Sequence, residues 1–483
     1  MDYKSLVRSC DDDLKAGRGQ AAASRLAKIN PSAVEREWRL PLARLCRRTG
    51  LVSMGLKLLS PLARTKNKRT KIDVTAPEVA EYAALLNLTG ASREAARLLA
   101  GVDAKEAPQV QLFRAFCHVT RWEYAAAIPH LRAYIQNEAD AYMKLVGSVN
   151  LASALVFVDA REEAAILLDE LVQSAAERGY KRLAANCLEM RAQVYLAGGD
   201  FSKARRALEE AHGILQHENT TDQFFVRKWT AVVDALEHGK TGALATLRDE
   251  ALARGDTESV RETDLFLLRA RFDEAKFHHL FFGTPFGDYR EHVCKALGRR
   301  PEITEYVRGN ENAPVFDIRT GEFPNRRLPP GKLGHRLIAT LARDFYRPAS
   351  LGGLFAELFP GDVFDIFSSP DRVHQVLRRT RRWLEAEGLP IEITEAGGRY
   401  RLGHGPEVAF LIPSEIEPID WYQVQCHKLA TSFGEGVFTP REGRAALELS
   451  PASFTRVTSW ALEHARLERF GKGNEITYRL KAA

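Results

Sequence analysis

Three segments of this 483-residue chain share a break followed by a helix-forming run with alanine in phase. They are Trp122-Glu-Tyr-Ala-Ala-Ala, Arg161-Glu-Glu-Ala-Ala-Ile and Phe201-Ser-Lys-Ala-Arg-Arg, and their alanines Ala125, Ala164 and Ala204 recur every 39 or 40 residues. A recurrence of this length marks a unit that cannot bury its apolar face alone and must stack on its neighbours. From residue 15 to about 280 the chain suits such stacking, being dominated by Ala, Leu, Glu and Arg, with apolar residues at helical spacing and short Gly/Asp breaks. This half reads as all α, with small residues where paired helices approach closely.

The clearest copy is LEMRAQVYLAGGDFSKARRALEEA, residues 188 to 211. Tyr195 closes a first helix, Gly198-Gly199-Asp200 turn the chain, and Ala204 and Ala207 open a second. This segment resembles a tetratricopeptide repeat. Weaker copies surround Gly50 to Leu59 and Gly90 to Leu99, at a spacing wider than the standard repeat of about 34 residues. A solenoid of such units offers a long surface for a protein or small-molecule effector, or serves as a spacer.

Length predicts two to four domains, and 45% hydrophobic with 27% charged residues is the composition of globular ones. The N-terminus shows no apolar stretch behind a basic start, and no window of about 18 apolar residues occurs, so a cytoplasmic location without a membrane span is expected. The cysteines Cys10, Cys46, Cys117, Cys187, Cys294 and Cys426 lie far apart, which suits reduced thiols better than a zinc site or a disulfide framework. Net charge is +6, yet residues 301–483 hold 24 Lys/Arg against 24 Asp/Glu, so any affinity for nucleic acid must come from local placement.

Texture changes between about 285 and 312, where PVFDIRTGEFPNRRLPPG reads as short strands joined by turns. An amphipathic helix over 332–343 follows, then LGGLFAELF capped by Ser350. A third helix runs from about Pro370 to Glu387, with a serine cap from Ser368-Ser369 and proline in its first turn. Val373, Leu377, Thr380 and Leu384 share one face of it; Arg372, Gln375, Arg379 and Arg382 form the opposite stripe, flanked by Arg378 and Arg381. An α-helix fits the major groove, where Arg reads guanine or phosphate and Gln reads adenine. Acids on this helix sit only at its ends, so pairing within the helix leaves the middle cationic.

Ile391-Glu-Ile-Thr and Arg399-Tyr-Arg-Leu alternate around a glycine turn, forming a hairpin. With this hairpin, RVHQVLRRTRRWLEAEGLPIEITEAGGRYRL resembles the recognition helix and wing of the OmpR/PhoB-type winged helix, as do the strands preceding it at 314–328. The resemblance covers roughly residues 312 to 403. It implies DNA contacts from Arg372, Gln375, Arg378, Arg379, Arg382 and the wing residue Arg399, while Thr380 stands where that family usually has leucine. The receiver domain that usually precedes the module is not expected, because the N-terminal half lacks alternating strands and helices.

A second, weaker pattern follows: a helix at 421–433, another after Thr439-Pro440, a third after Ser450-Pro451, and a strand–turn–strand ending. Phe454, Val457, Ala461 and Ala465 are expected inside, with Ser453, Arg456 and Ser459 exposed and Lys472 at the hairpin tip. This ending is similar to bacterial winged-helix repressors, and such modules also mediate protein contacts.

No catalytic constellation emerges. Gly239-Lys240-Thr241 lacks the earlier glycine of a P-loop, and His278-His279 diverge on a helix. The expected fold is mostly α: a tetratricopeptide-like α-solenoid over 1–290, then two small α+β winged-helix domains over 312–403 and 418–483. The expected function is DNA-binding transcriptional regulation without enzymatic activity, metal or cofactor. Double-stranded DNA, an effector on the repeats and a homodimeric second copy are the expected partners. The alternative is an interaction scaffold whose winged helices dock proteins.

Overall fold

The computed structural model describes residues 2–15, 18–63, 74–216, 221–324, 326–329, 331–415, 421–471 and 473–481. The fold is mostly α: a helical-repeat solenoid followed by small α+β modules, each with a three-stranded sheet. The chain divides into two compact units, Met1–Arg300 with Ala349–Val373, and Pro301–Pro348 with His374–Ala483.

The first unit pairs α1 (Tyr3–Lys15) with α2 (Gly19–Leu26), α3 (Arg36–Arg48) with α4 (Val52–Ala63), α5 (Ala76–Leu88) with α6 (Ser92–Ala100), and α7 (Gln109–Val119) with α8 (Tyr124–Asn137). It continues through α9 (Ala141–Phe157) with α10 (Arg161–Glu177), α11 (Lys181–Ala197) with α12 (Phe201–Leu215), α13 (Thr221–His238) with α14 (Gly242–Arg254), and α15 (Thr257–Ala270) with α16 (Glu274–Phe282), ending at α17 (Gly287–Leu297). First helices of successive pairs also pack together, as α3 does on α5 and α11 on α13. Aspartate caps recur: Asp140, Asp200, Asp256 and Asp273 each accept the backbone N–H three residues on.

The repeat is clearest at the fourth residue of each second helix from α2 to α12, occupied by Ala22, Gly55, Ala95, Ala127, Ala164 and Ala204. All six are buried, and a Cβ at Gly55 would come within 2.9 Å of Leu85. Such positions admit only small side chains because two helix backbones approach there. The structure corrects the repeat register expected from sequence: Ala125 is exposed, and Ala127 is the equivalent of Ala164 and Ala204. The slip has a cause in the turns. A left-handed residue precedes each second helix from α4 to α12, glycine at Gly50, Gly90 and Gly199, but Trp122 (φ 65°) and Asp159 (φ 64°) take that conformation in α7–α8 and α9–α10. Without glycine to mark the turn, aligning on Trp122 displaced that copy by two residues.

In the second unit, β1 (Glu305–Arg308) and β2 (Val315–Asp317) flank β8 (Ala409–Pro413), antiparallel and parallel respectively. The central strand of this sheet is the apolar run Ala-Phe-Leu-Ile-Pro, whose pairing partners lie about a hundred residues earlier, and strand periodicity alone did not reveal it. Between them run β3 (Glu322–Phe323), β4 (Arg326–Arg327) and α18 (Leu333–Arg343). His335, on the first turn of α18, is fully buried; its Nδ1 accepts the Gly331 N–H at 2.8 Å, so its Nε2–H donates to the Ile318 carbonyl at 2.9 Å. One imidazole thus ties the helix to the strand layer. Burial pushes its pKa down to about 4.

Next in the chain come β5 (Ala349–Ser350) and α19 (Leu351–Leu358), which belong to the first unit, then α20 (Ser369–Ala386), β6 (Ile391–Ala396) and β7 (Arg399–His404). Helix, short strand, helix, long helix and hairpin is the element order of a winged helix. The last module runs α21 (Trp421–Phe433), β9 (Val437–Phe438), α22 (Pro440–Leu447), α23 (Pro451–Glu463), β10 (Leu467–Phe470) and β11 (Thr477–Leu480), with sheet order β10-β11-β9. That order and topology are those of a winged helix. Leu429, Phe438, Phe454, Val457 and Ala461 fill its core. Ala465 does not join them: α23 ends at Glu463, and Ala465 is exposed at φ 55° where the chain turns into the wing.

Replacing Ala164 by Leu is expected to overpack the α9–α10 contact and cost about 1–3 kcal/mol in urea unfolding, whereas Ile166→Ala, at a side chain 64% exposed, changes stability by less than about 0.5 kcal/mol. His335 supplies a pH test. The unfolded imidazole binds its proton near pH 6.5 and the folded one near 4, so stability falls as pH drops through that window, by up to about 3 kcal/mol. Unfolding titrations should show this loss in the wild type and not in His335→Gln.

Candidate nucleic-acid interface

Helix α20 begins where Asp365 organises the preceding turn, its Oδ1 accepting the N–H groups of Phe367 and Ser368, both at 2.9 Å. The expected serine cap takes another form: Ser369 Oγ accepts the Asp365 N–H at 2.8 Å, turned back toward the loop. The helix ends at Gly388, which adopts φ 62° before the wing. Its apolar face is as the spacing predicts, with Val373, Val376, Leu377, Thr380 and Leu384 all buried.

The opposite face is exposed throughout, bearing Arg372, Gln375, Arg378, Arg379 and Arg382. These cations are not equivalent. Arg372 is engaged, paired with Asp362 at 2.7 Å and lying over the Phe359 ring at 4.0 Å. Arg381 donates through Nη2 to the Ile393 carbonyl at 2.7 Å, so it braces the wing against the helix. Gln375, Arg378, Arg379 and Arg382 make no side-chain hydrogen bond or ion pair to other described residues. Solvent-facing guanidiniums without carboxylate partners leave a strip of uncompensated positive charge, which attracts a polyanion.

The wing is a two-residue hairpin in which Ala396 pairs with Arg399 across Gly397 (φ 59°) and Gly398 (φ 74°). Two successive left-handed residues make the primed turn that matches strand twist. Arg399 is exposed beside this turn. Tyr400, the next residue, is buried and meets His374 of α20, its hydroxyl 3.0 Å from Nε2. Burial raises its phenol pKa, with Glu395 adding to the effect. Helix and wing are therefore joined at two points, Arg381–Ile393 and His374–Tyr400.

The last module is tied to the preceding one within the second unit. Lys428 of α21 pairs with Glu322 at 2.7 Å, and Lys332 lies 4.6 Å over the Trp421 ring. On α23, Arg456 and Ser459 are exposed, and Ser453 is half-buried in the helix cap, accepting from Ser450 and Arg456 at 3.1 Å each. Lys472 lies outside the described residues. Sequence reasoning passed over Arg441 and Arg444 on α22 and Arg469 on the wing strand, all exposed.

Away from this region, the first helices of the repeats carry a charged cluster that no motif announced. Lys228 of α13, nearly inaccessible, pairs with Glu262 and lies 3.4 Å from Ser259, both on α15. Glu189 of α11 keeps some exposure but is deeply surrounded, and desolvation lifts its pKa to about 7, with Gln193 donating to it at 2.6 Å. All six cysteines are buried and none forms a disulfide, and burial lifts the Cys46 and Cys187 thiols to about 12. Among the described residues no cluster of metal-ligating side chains occurs, and no helix is long and apolar enough to cross a membrane.

No protein-family model matches the chain, and no curated relative matches it. Among solved structures, it is similar to a Rap protein complexed with competence and sporulation factor, at 12% identity and a TM-score of 0.40, over 61% of this chain and 87% of that one.

Proposed function

We propose that the chain is a DNA-binding transcriptional regulator of the OmpR/PhoB winged-helix type, in which α20 enters the major groove and the β6–β7 hairpin serves as the wing. The observation that carries this reading is the face of α20: Gln375, Arg378, Arg379 and Arg382 exposed along one side, without carboxylate partners among the described residues. Arginine contacts to phosphate supply affinity and make it steep in salt. Gln375 and Arg379, at adjacent turns, supply base readout of adenine and guanine edges. Arg399 follows the wing backbone, and Arg381 holds the wing in place rather than touching DNA. The last module adds a second contact surface through Arg456, Ser459, Arg441 and Arg444, so one chain spans an asymmetric site and a pair of chains a palindromic one. The repeats receive a protein or small-molecule effector.

The test is fluorescence anisotropy of the full chain with a random 30-base-pair duplex at several salt concentrations. Wild type should bind with log affinity falling steeply against log salt. Arg378→Ala/Arg379→Ala/Arg382→Ala should flatten that slope by about 2–3 and lose most of the affinity. Once a specific site is selected, Arg379→Ala should reduce discrimination against random sequence by about 1–3 kcal/mol. A triple variant that binds as the wild type does sinks the proposal.

A further inference from the structure

The segment Ala349–Val373 belongs to the first unit and packs on the α5–α6 turn of the repeats. Ser350 Oγ donates to the Thr89 carbonyl at 2.6 Å while accepting the Gly353 N–H at 3.2 Å, so one hydroxyl both caps α19 and docks it. Gly352 is pressed on the same turn; a Cβ there would lie 2.6 Å from the Thr89 carbonyl oxygen. Farther along, Glu94, 6% exposed, accepts the Phe364 N–H at 2.7 Å, and Arg93 faces Glu357 at 3.5 Å. The contact is polar, specific and close, unlike a passing touch between surfaces.

Its product lies at the end of the segment. The docked stretch presents Asp362, Phe355 and Phe359 to Arg372, holding its guanidinium by an ion pair and by ring faces at 5.2 and 4.0 Å. Arg372 is the first arginine of the α20 stripe, so the docked conformation occupies a group that a phosphate would otherwise engage.

We propose that this contact is an autoinhibitory clamp, in which the α5–α6 turn holds Ala349–Val373 so that Asp362 and Phe359 withhold Arg372 from the DNA backbone. The inference rests on the DNA-binding reading above. A ligand of the repeats that parts Thr89 from Gly352 would free Arg372 and raise affinity for the duplex.

The experiment measures duplex affinity of the full chain by anisotropy for wild type, Gly352→Ala, Asp362→Asn, Arg372→Ala and the two doubles with Arg372→Ala. Gly352→Ala wedges the clamp apart with a residue that favours helix, and Asp362→Asn releases Arg372 from an exposed loop without disturbing the core. Each should tighten binding by about three- to tenfold, Arg372→Ala alone should stay within about twofold of wild type, and the gain should vanish when Arg372 is absent. Binding by the released variants with none by the wild type supports the clamp in its strongest form. If Arg372→Ala weakens wild-type binding as much as Arg379→Ala, or neither released variant binds tighter while Arg378→Ala/Arg379→Ala/Arg382→Ala still loses binding, the clamp is wrong and the DNA reading survives. Failure of every form to bind duplex overturns both.

Discussion

The proposed function depends on the division of one helix into two faces. Along α20 the buried side chains Val373, Val376, Leu377, Thr380 and Leu384 commit its orientation, and that commitment turns Gln375, Arg378, Arg379 and Arg382 to solvent. Exposed guanidiniums on a helix are common; what distinguishes these is that the acids of the helix, Asp371 and Glu385, stand toward its ends and that Arg378, Arg379 and Arg382 make no ion pair with other described residues. The bracing of Arg381 on the Ile393 carbonyl and of His374 on Tyr400 then keeps helix and wing in one arrangement, so that less conformational entropy is lost on binding.

The solenoid rests on a different constraint, close approach of backbones. Ala22, Gly55, Ala95, Ala127, Ala164 and Ala204 recur because two helices meet there with no room for a branched side chain. This was legible as a period but not as a register. Where glycine marks the left-handed turn residue the copies align correctly, and the copy that slips is the one in which Trp122 occupies it, since a tryptophan does not announce a positive φ. Trp122 is placed against Tyr289 and Phe157, at 4.5 and 5.4 Å between ring centroids, a long-range contact that local periodicity does not contain.

The same limit explains the other differences. The apolar and cationic faces of α20, the hairpin at Gly397-Gly398 and the helix caps at Ser350 and Thr439 follow from neighbours within a few residues, and all were readable. Strand β8, the buried imidazole of His335 and the docking of Ser350 on Thr89 each join residues far apart in the chain. His335 in particular looks like a polar residue on an amphipathic helix until Gly331 and Ile318 satisfy both its nitrogens. The segment Ala349–Val373 is legible as the second helix of a helix-turn-helix, yet its partner, the α5–α6 turn, is visible only in three dimensions.

Hydrogen–deuterium exchange of the full chain with and without duplex DNA tests the central claim most directly, because it asks which backbone becomes protected. The account predicts added protection in α20 and across the Gly397-Gly398 hairpin, with second helices of the repeats such as α10 and α12 unchanged. Protection confined to the repeats, with α20 exchanging as in the free protein, would contradict it.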